Sequence, residues 1–140
     1  GEIRTKAMAE FLSDFPDGTA EGRYVTGSLP NLPFSNKQFD LAVCSHFLFL
    51  YSEQLSEDFH FESITELCRV SKEVRIFPLL ELGSKPSRHL KAVTSRLDKL
   101  NYCTLIETVP YEFQKNGNQM LKITGSNRTN QDIAYRSACS

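Results

Sequence analysis

With 140 residues, a net charge of −1 and a hydrophobic fraction of 40%, the chain has the length and composition of one globular domain. The near-neutral charge provides no general attraction to nucleic acid or to anionic lipid, so a nucleic-acid partner is not expected. No apolar stretch approaches the roughly 18–20 residues of a membrane-spanning helix, so no membrane partner is expected either.

The first part of the chain is predicted to form a helix, a short strand and an extended loop. Apolar residues spaced as on one helix face run from Ile3 to Phe15, and Pro16-Asp17-Gly18 ends this segment. Arg23–Thr26 is rich in β-formers and is predicted to be a strand. Two prolines in the segment Leu29–Phe34 exclude a helix there and indicate an extended loop.

The middle of the chain is predicted to alternate strands and helices. Phe39–Cys44 has consecutive apolar residues, which is typical of a strand covered on both faces. Glu57–Val70 has the apolar spacing of a helix, and Val74–Leu80 is a second apolar strand whose regular part should end near Pro78.

The last part begins with another predicted helix, which follows Pro86 and has Ser84 or Ser87 as its cap. Asn101 can end this helix in a left-handed conformation. An Asn-Gly pair at Asn116 then predicts a hairpin turn. The two strands that it would join are Cys103–Val109 and Gln119–Thr124.

This order of elements predicts an α/β fold. Alternating strands and helices indicate a mostly parallel sheet flanked by helices, and the closing hairpin adds an antiparallel strand at the C-terminal end. Residues 1–124 would form the domain, and the polar residues 125–140 would form a tail.

The cysteines indicate a compartment rather than a site. Cys44, Cys68, Cys103 and Cys139 form no CxxC pair, and three of them lie among apolar neighbours. We therefore favour buried thiols in a reducing compartment over a disulfide or metal framework. Because the first residues also lack the apolar core of a signal peptide, a cytoplasmic protein without a bound metal is expected.

Two segments carry a resemblance to a known family. Gly27–Val43 resembles the G-D-A-x-x-L-P-F-x-x-x-x-F-D-x-V block of class I S-adenosylmethionine-dependent methyltransferases, especially those that act on small molecules. Glu66–Lys72 resembles the E-x-x-R-V-L-K segment of the same family. The closing hairpin resembles the family's last two strands, of which the final one is inserted antiparallel. The resemblance implies a partial Rossmann-like methyltransferase fold.

The resemblance also implies a reaction and a site. A longer parent protein would transfer a methyl group from S-adenosylmethionine to an acceptor, expected to be a small molecule. Gly27, Ser28 and Leu29 would line the adenine pocket, although a turn after an edge strand needs the same residues. Ser45 and His46 would face the methionine part of the cofactor or the acceptor.

His46 is also the candidate catalytic residue, because an imidazole can remove a proton at neutral pH. A role for His46 in packing or capping alone stays open. His60 and His89 lie near predicted helix starts, where solvated or capping roles are expected.

Parts of the family pattern are missing from the sequence. The glycine-rich E/D-x-G-x-G-x-G turn is absent, and Ser28 replaces the acid that accepts the adenine amino group. We therefore expect a fragment that is inactive alone and binds the cofactor weakly or not at all. Its exposed sheet edges would be covered by repacking the strand at 23–26 beside the strand at 39–44, or by self-association.

Two other interpretations stay open. In one, the domain has kept the methyltransferase fold and lost the cofactor, which makes it a degenerate binding or regulatory module. An unrelated α/β domain, such as a flavodoxin-like one, would have a final helix in place of the closing hairpin.

Overall fold

The computed structural model describes residues 8–14, 20–26, 29–110 and 117–125. In this part of the chain, six strands form one mixed sheet, two short strands form a separate pair, and two helices are present. The elements in chain order are β1 (Met8–Asp14), β2 (Ala20–Thr26), β3 (Phe39–Ser45), α1 (Glu57–Val70), β4 (Ser71–Phe77), β5 (Leu80–Glu81), β6 (Lys85–Pro86), α2 (Leu90–Lys99), β7 (Cys103–Thr108) and β8 (Gln119–Thr124).

The α/β class is confirmed, but the prediction of a mostly parallel sheet is wrong. The strand order is β2-β1-β3-β4-β8-β7, and among these described strands the β3–β4 ladder is the parallel one. The other four ladders of the sheet are antiparallel. The prediction failed because it counted an N-terminal helix where the chain forms a hairpin, and because the closing hairpin contributes two antiparallel ladders.

The predicted helix over residues 3–15 is wrong where the structure describes it, since Met8–Asp14 forms β1. β1 pairs antiparallel with the edge of β3. The backbone groups of that edge would be unpaired without it. The Phe11 side chain is fully buried, and its ring centroid lies 4.9 Å from that of Phe39 and 5.4 Å from that of Phe34. Tertiary pairing and burial therefore override the local helical spacing.

The predicted repacking of the 23–26 strand beside the 39–44 strand is also wrong. β1 covers that edge of β3, and β2, which contains residues 23–26, lies outside β1. A two-strand hairpin therefore extends the sheet on this side.

Helix α1 has the predicted bounds and a clear start signal. The Ser56 side chain accepts a hydrogen bond from the Phe59 N–H at 3.0 Å, and Glu57 and Asp58 place negative charge in the first turn. Apolar residues of this helix pack toward the central strands. The buried side chains of the α1–β4 core include Ile64, Leu67, Val70, Val74 and Ile76.

Helix α2 ends as predicted but starts differently. Its N-cap residue is His89, which makes no side-chain cap bond, so the predicted caps at Ser84 and Ser87 are wrong. Ser87 Oγ instead accepts a bond from the His89 N–H at 3.2 Å. Asn101 has the expected left-handed backbone, with a φ of 68°.

The remaining boundary predictions have mixed outcomes. β4 ends at Phe77, immediately before Pro78, as expected, and Gln119–Thr124 is confirmed as a strand. Asn116 of the predicted hairpin turn and residues 126–140 of the predicted tail lie outside the described residues. Neither described helix combines the length and apolar character that crossing a membrane demands.

The described cysteines differ in state. Cys44 and Cys68 are buried free thiols, as expected, and burial raises their pKa values to about 11 and about 12. The expectation of a free thiol is wrong for Cys103, which is disulfide-bonded.

Replacing a buried isoleucine at the centre of the sheet should lower the free energy of unfolding more than replacing an exposed one at its edge. Ile76 in β4 is fully buried, so Ile76→Ala should lower the free energy of unfolding by about 2–5 kcal/mol. Ile106 in β7 is 47% exposed, so the matched control Ile106→Ala should change it by less than about 1 kcal/mol. Urea denaturation of both variants measures the difference. Equal losses would contradict a core centred on β4.

Candidate functional site

The site begins where the two parallel strands end. The register pairs Ser45, the last residue of β3, with Phe77, the last residue of β4, so both strands end at one edge of the sheet. The next residue, His46, donates its backbone N–H to the Phe77 carbonyl at 2.8 Å. Ligands of α/β sheets commonly bind at this carboxyl edge. The structure therefore brings together Ser45 and His46 where the sequence predicted them.

His46 turns the chain out of the sheet. Its φ of 57° lies in the left-handed region, which is uncommon for a residue with a side chain. The residue is exposed, and its ring meets the Phe77 ring edge-on with a centroid distance of 5.8 Å. Ser45 beside it is half-buried. An exposed imidazole next to the strand ends is accessible to a ligand bound at this edge.

The following residues, 46–55, form a packed turn that we name the post-β3 segment. The Phe47, Leu48 and Phe49 side chains are buried. Backbone bonds join the Tyr51 N–H to the Phe47 carbonyl at 3.2 Å and the Leu55 N–H to the Tyr51 carbonyl at 2.9 Å. This segment is therefore held by its own apolar residues and turns.

His60 of α1 is hydrogen-bonded to the post-β3 segment. Its Nε2 atom accepts the Phe49 N–H at 2.9 Å, and its Nδ1 atom lies 2.7 Å from the Ser56 carbonyl. Because a backbone N–H can only donate and a carbonyl can only accept, His60 is neutral, with its proton on Nδ1. Burial is the main cause that lowers the pKa of His60.

The chain between β4 and α2, residues 78–89, is joined to the post-β3 segment, and we name it the second loop. The Leu82 N–H donates to the Leu50 carbonyl at 2.9 Å, and the hydroxyls of Ser52 and Ser87 lie 2.6 Å apart. His89 Nε2 lies 2.8 Å from the Ser52 carbonyl, to which it donates. The two loops at the carboxyl edge are therefore one hydrogen-bonded unit. The expected solvated role is wrong for His60, which is buried, whereas His89 occupies the N-cap position of α2 and uses its side chain to bond the Ser52 carbonyl.

An ion pair between a buried carboxylate and an exposed guanidinium supports the second loop. Arg88 Nη2 lies 2.6 Å from Glu81 Oε1, and the Arg88 N–H donates to the other carboxylate oxygen at 2.9 Å. The Glu81 side chain is 8% exposed, and the hydrogen bonds from Arg88 are the main cause that lowers its pKa.

The predicted adenine-pocket residues are only partly described. Gly27 and Ser28 lie outside the described residues, whereas Leu29 is half-buried and packs against the core. The loop that begins at Leu29 is fixed from α1. Glu66 Oε2 accepts the Leu32 N–H at 2.6 Å, and Arg69 donates to the Phe34 carbonyl at 2.8 Å.

Glu66 and Arg69 form a pair that we name the Glu66–Arg69 clamp. Arg69 Nε lies 2.8 Å from Glu66 Oε1, and Arg69 Nη2 also donates to the Leu32 carbonyl at 3.0 Å. The side-chain bond from Arg69 is the main cause that lowers the pKa of Glu66. The sequence contained one signal for this pair, the i, i+3 spacing of opposite charges on a helix.

The described residues fit only one side of an S-adenosylmethionine site. Ser45 and His46 lie at the carboxyl edge, and Leu29 begins the neighbouring loop. The position beside β3 is taken by β1, which runs antiparallel and so adds no carboxyl strand end to those of β3 and β4 at this edge. Among the described residues, no group of three or more His, Cys, Asp or Glu side chains could hold a metal ion.

Comparison with known proteins found one informative similarity. No family model matches the chain, and no solved structure matches it. The chain is 36% identical over 122 residues to the "Uncharacterized protein MJ0045" of Methanocaldococcus jannaschii. The match covers 87% of this chain and 52% of that protein, so the chain spans about half the length of this relative.

Neutralising Glu66 should weaken the clamp. Glu66→Gln should lower the free energy of unfolding by about 1–3 kcal/mol at pH 7, because charge-assisted bonds to Arg69 are lost. The Glu66 pKa in the folded chain lies below its ordinary value of 4.5. Its stabilisation is therefore present above pH 4.5 and is lost as the pH falls through the lower folded value.

Urea denaturation between pH 7 and pH 3 measures this effect. The difference between the unmodified chain and Glu66→Gln should shrink below pH 4.5. Glu62 lies exposed on the same helix, so Glu62→Gln is the matched control and should leave stability unchanged. A pH-independent difference for Glu66→Gln would show that the charge is not what holds the loop.

Proposed function

We propose that this chain is the C-terminal part of a class I S-adenosylmethionine-dependent methyltransferase domain, and that its longer parent methylates a small molecule. One observation carries the proposal. The parallel pair β3–β4 is followed in the sheet by β8, which is inserted antiparallel between β4 and β7. This is the arrangement that the sequence resemblance implied for the family's last strands, and it occurs together with both resembling segments.

The proposed chemistry needs few catalytic groups. S-adenosylmethionine, when bound, would supply a sulfonium methyl group: the acceptor would form a bond to the methyl carbon in line with the breaking carbon–sulfur bond, and the neutral thioether would leave. Holding two reactants at near-attack distance can supply several kcal/mol of the rate enhancement, about 7–11 kcal/mol at the upper end. The hydrogen-bonded unit made by the two carboxyl-edge loops is suited to such positioning, because its turns are fixed by Leu50, Ser52 and Ser87.

His46 is the residue that we assign to proton transfer. It is exposed at the carboxyl edge, and imidazole can take the proton that an acceptor hydroxyl or amine loses on methylation. Ser45 and the backbone at His46 would contact the methionine part of the cofactor. Leu29, together with Gly27 and Ser28, would form the adenine side.

The parent must supply what this chain lacks. The M. jannaschii relative is about twice as long as the matched region, which leaves room for the glycine-rich turn and its strand. In the proposed parent, that strand would pair parallel with β3. The β1–β2 hairpin would then occupy another position, because it pairs with the same edge of β3 here.

The alternative function is a binding or regulatory module that no longer uses the cofactor. Two observations favour it. Ser28 stands where the family carries an acid, and β1 already satisfies the edge of β3. Such a module would keep the fold while lacking the cofactor's binding groups.

Calorimetric titration with S-adenosylhomocysteine tests the proposal. The full-length M. jannaschii relative and the parent of this chain should bind it with a micromolar Kd, whereas the 140-residue chain should bind weakly or not at all. In the parent, Ser45→Ala should weaken binding about fivefold, equivalent to about 1 kcal/mol, because Ser45 supplies the side chain proposed to contact the methionine part of the cofactor. The control Lys91→Ala, exposed on α2, should have no effect. Absence of binding by the longer proteins would support the alternative module.

A further inference from the structure

A buried imidazole, that of His60, joins α1 to the post-β3 segment by a hydrogen bond. His60 is fully buried, as is Phe49, whose N–H it accepts at Nε2. Its other nitrogen, Nδ1, is engaged by the Ser56 carbonyl. One ring nitrogen must therefore accept a hydrogen bond and the other must donate one. Only the neutral ring can do both.

Two rings also lie against His60. The Phe49 ring stacks on His60 with a centroid distance of 5.3 Å, and the His89 ring lies 5.0 Å away on another side. A proton added to Nε2 would point at the Phe49 N–H, so two donors would face each other. The Phe49 N–H would then be buried without an acceptor, which is unfavourable.

Among the described residues, the nearby charged groups do not offer the protonated ring a direct partner. Glu81 binds Arg88, and Glu57 and Asp58 at the start of α1 bind Arg96. Glu53 of the post-β3 segment acts electrostatically on Arg88. The neighbouring His89 acts electrostatically to lower the pKa of His60. These groups act at a distance, while the two backbone bonds act directly on the ring.

We propose that His60 is a proton-controlled latch: the neutral imidazole holds Phe49 and with it the post-β3 segment, and protonation releases that segment from α1. The release reaches further than Phe49. Ser52 lies three residues on and connects the segment to Ser87 and His89 of the second loop. Acid therefore loosens both loops at the carboxyl edge, including the turn that presents His46. This latch does not depend on the proposed methyl transfer.

Burial of His60 supports the latch, because it lowers the pKa of the ring in the closed state. A released segment would let the ring regain its ordinary value of 6.5. Opening therefore becomes more favourable as the pH falls below 6.5, by up to about tenfold per pH unit until the lower closed-state pKa is reached.

Amide hydrogen exchange of the 140-residue chain, followed by NMR between pH 7.5 and pH 5, tests the latch. The protection factor of the Phe49 amide, corrected for the intrinsic exchange rate, should fall by up to about tenfold per pH unit below pH 6.5. Amides of β4 such as Val74 should keep a higher protection factor than Phe49 at each pH, because they belong to the core and exchange only through larger openings. A Phe49 protection factor that stays constant over this range would overturn the latch.

Two variants identify the group that titrates. His60→Gln keeps an acceptor for the Phe49 N–H but cannot be protonated, so protection should become independent of pH. His89→Gln keeps a donor for the Ser52 carbonyl and removes the neighbouring imidazole, so the pH dependence of Phe49 should persist. The latch is wrong if His60→Gln retains the pH dependence or if His89→Gln abolishes it.

A further measurement needs no variant and covers the case in which His60→Gln does not fold. The ring resonances of His60 and the amide resonance of Phe49 should titrate in the unmodified chain with one common midpoint, because one proton controls both. Different midpoints for the two groups would refute the latch.

Discussion

The parallel pairing of β3 with β4 is the constraint from which the candidate site follows. Its register runs from Phe39 opposite Ser71 to Ser45 opposite Phe77, so both strands leave the sheet at the same edge. Two loops that are about thirty residues apart in sequence must therefore meet. The His46 N–H bond to the Phe77 carbonyl is the first contact between them, and the Ser52–Ser87 bond lies farther out. Helix α1 connects the two strands and supplies the buried face that covers them.

Local sequence signals were sufficient for some elements and misleading for one. Helix α1 and strand β3 were predicted well, because an amphipathic period and a continuous apolar run each depend on neighbouring residues alone. β1 was predicted as a helix from equally regular spacing. What decides its structure is non-local, namely the open edge of β3 and the space that Phe11 fills beside Phe39. The direction of strand pairing depends on the same non-local contacts, so the sequence could not establish a mostly antiparallel sheet.

The candidate site was predictable where it follows from the end of a strand. Ser45 and His46 were expected at the carboxyl edge because the apolar run stops there, and the structure places them at that edge. The supporting polar groups were missed. His60 bonds a backbone group 11 residues away and Glu66 one 34 residues away, distances over which the sequence shows no pattern. For His60, the sequence did contain one sign of burial: it is four residues before Ile64, on the apolar face of α1.

In a longer protein, a further strand beside β3 would have to replace β1, whereas the pairing of β3 with β4 would stay. Exchanging β1 for a parallel strand would replace one set of backbone hydrogen bonds by another, so the balance depends on side chains. Burying Phe11 contributes about 1.5–3 kcal/mol, and a competing strand must fill the same space against Phe34 and Phe39. The carboxyl edge is not part of this competition, because β4, α1 and the two loops determine it. That edge can therefore have the same geometry whichever strand covers the other side of β3.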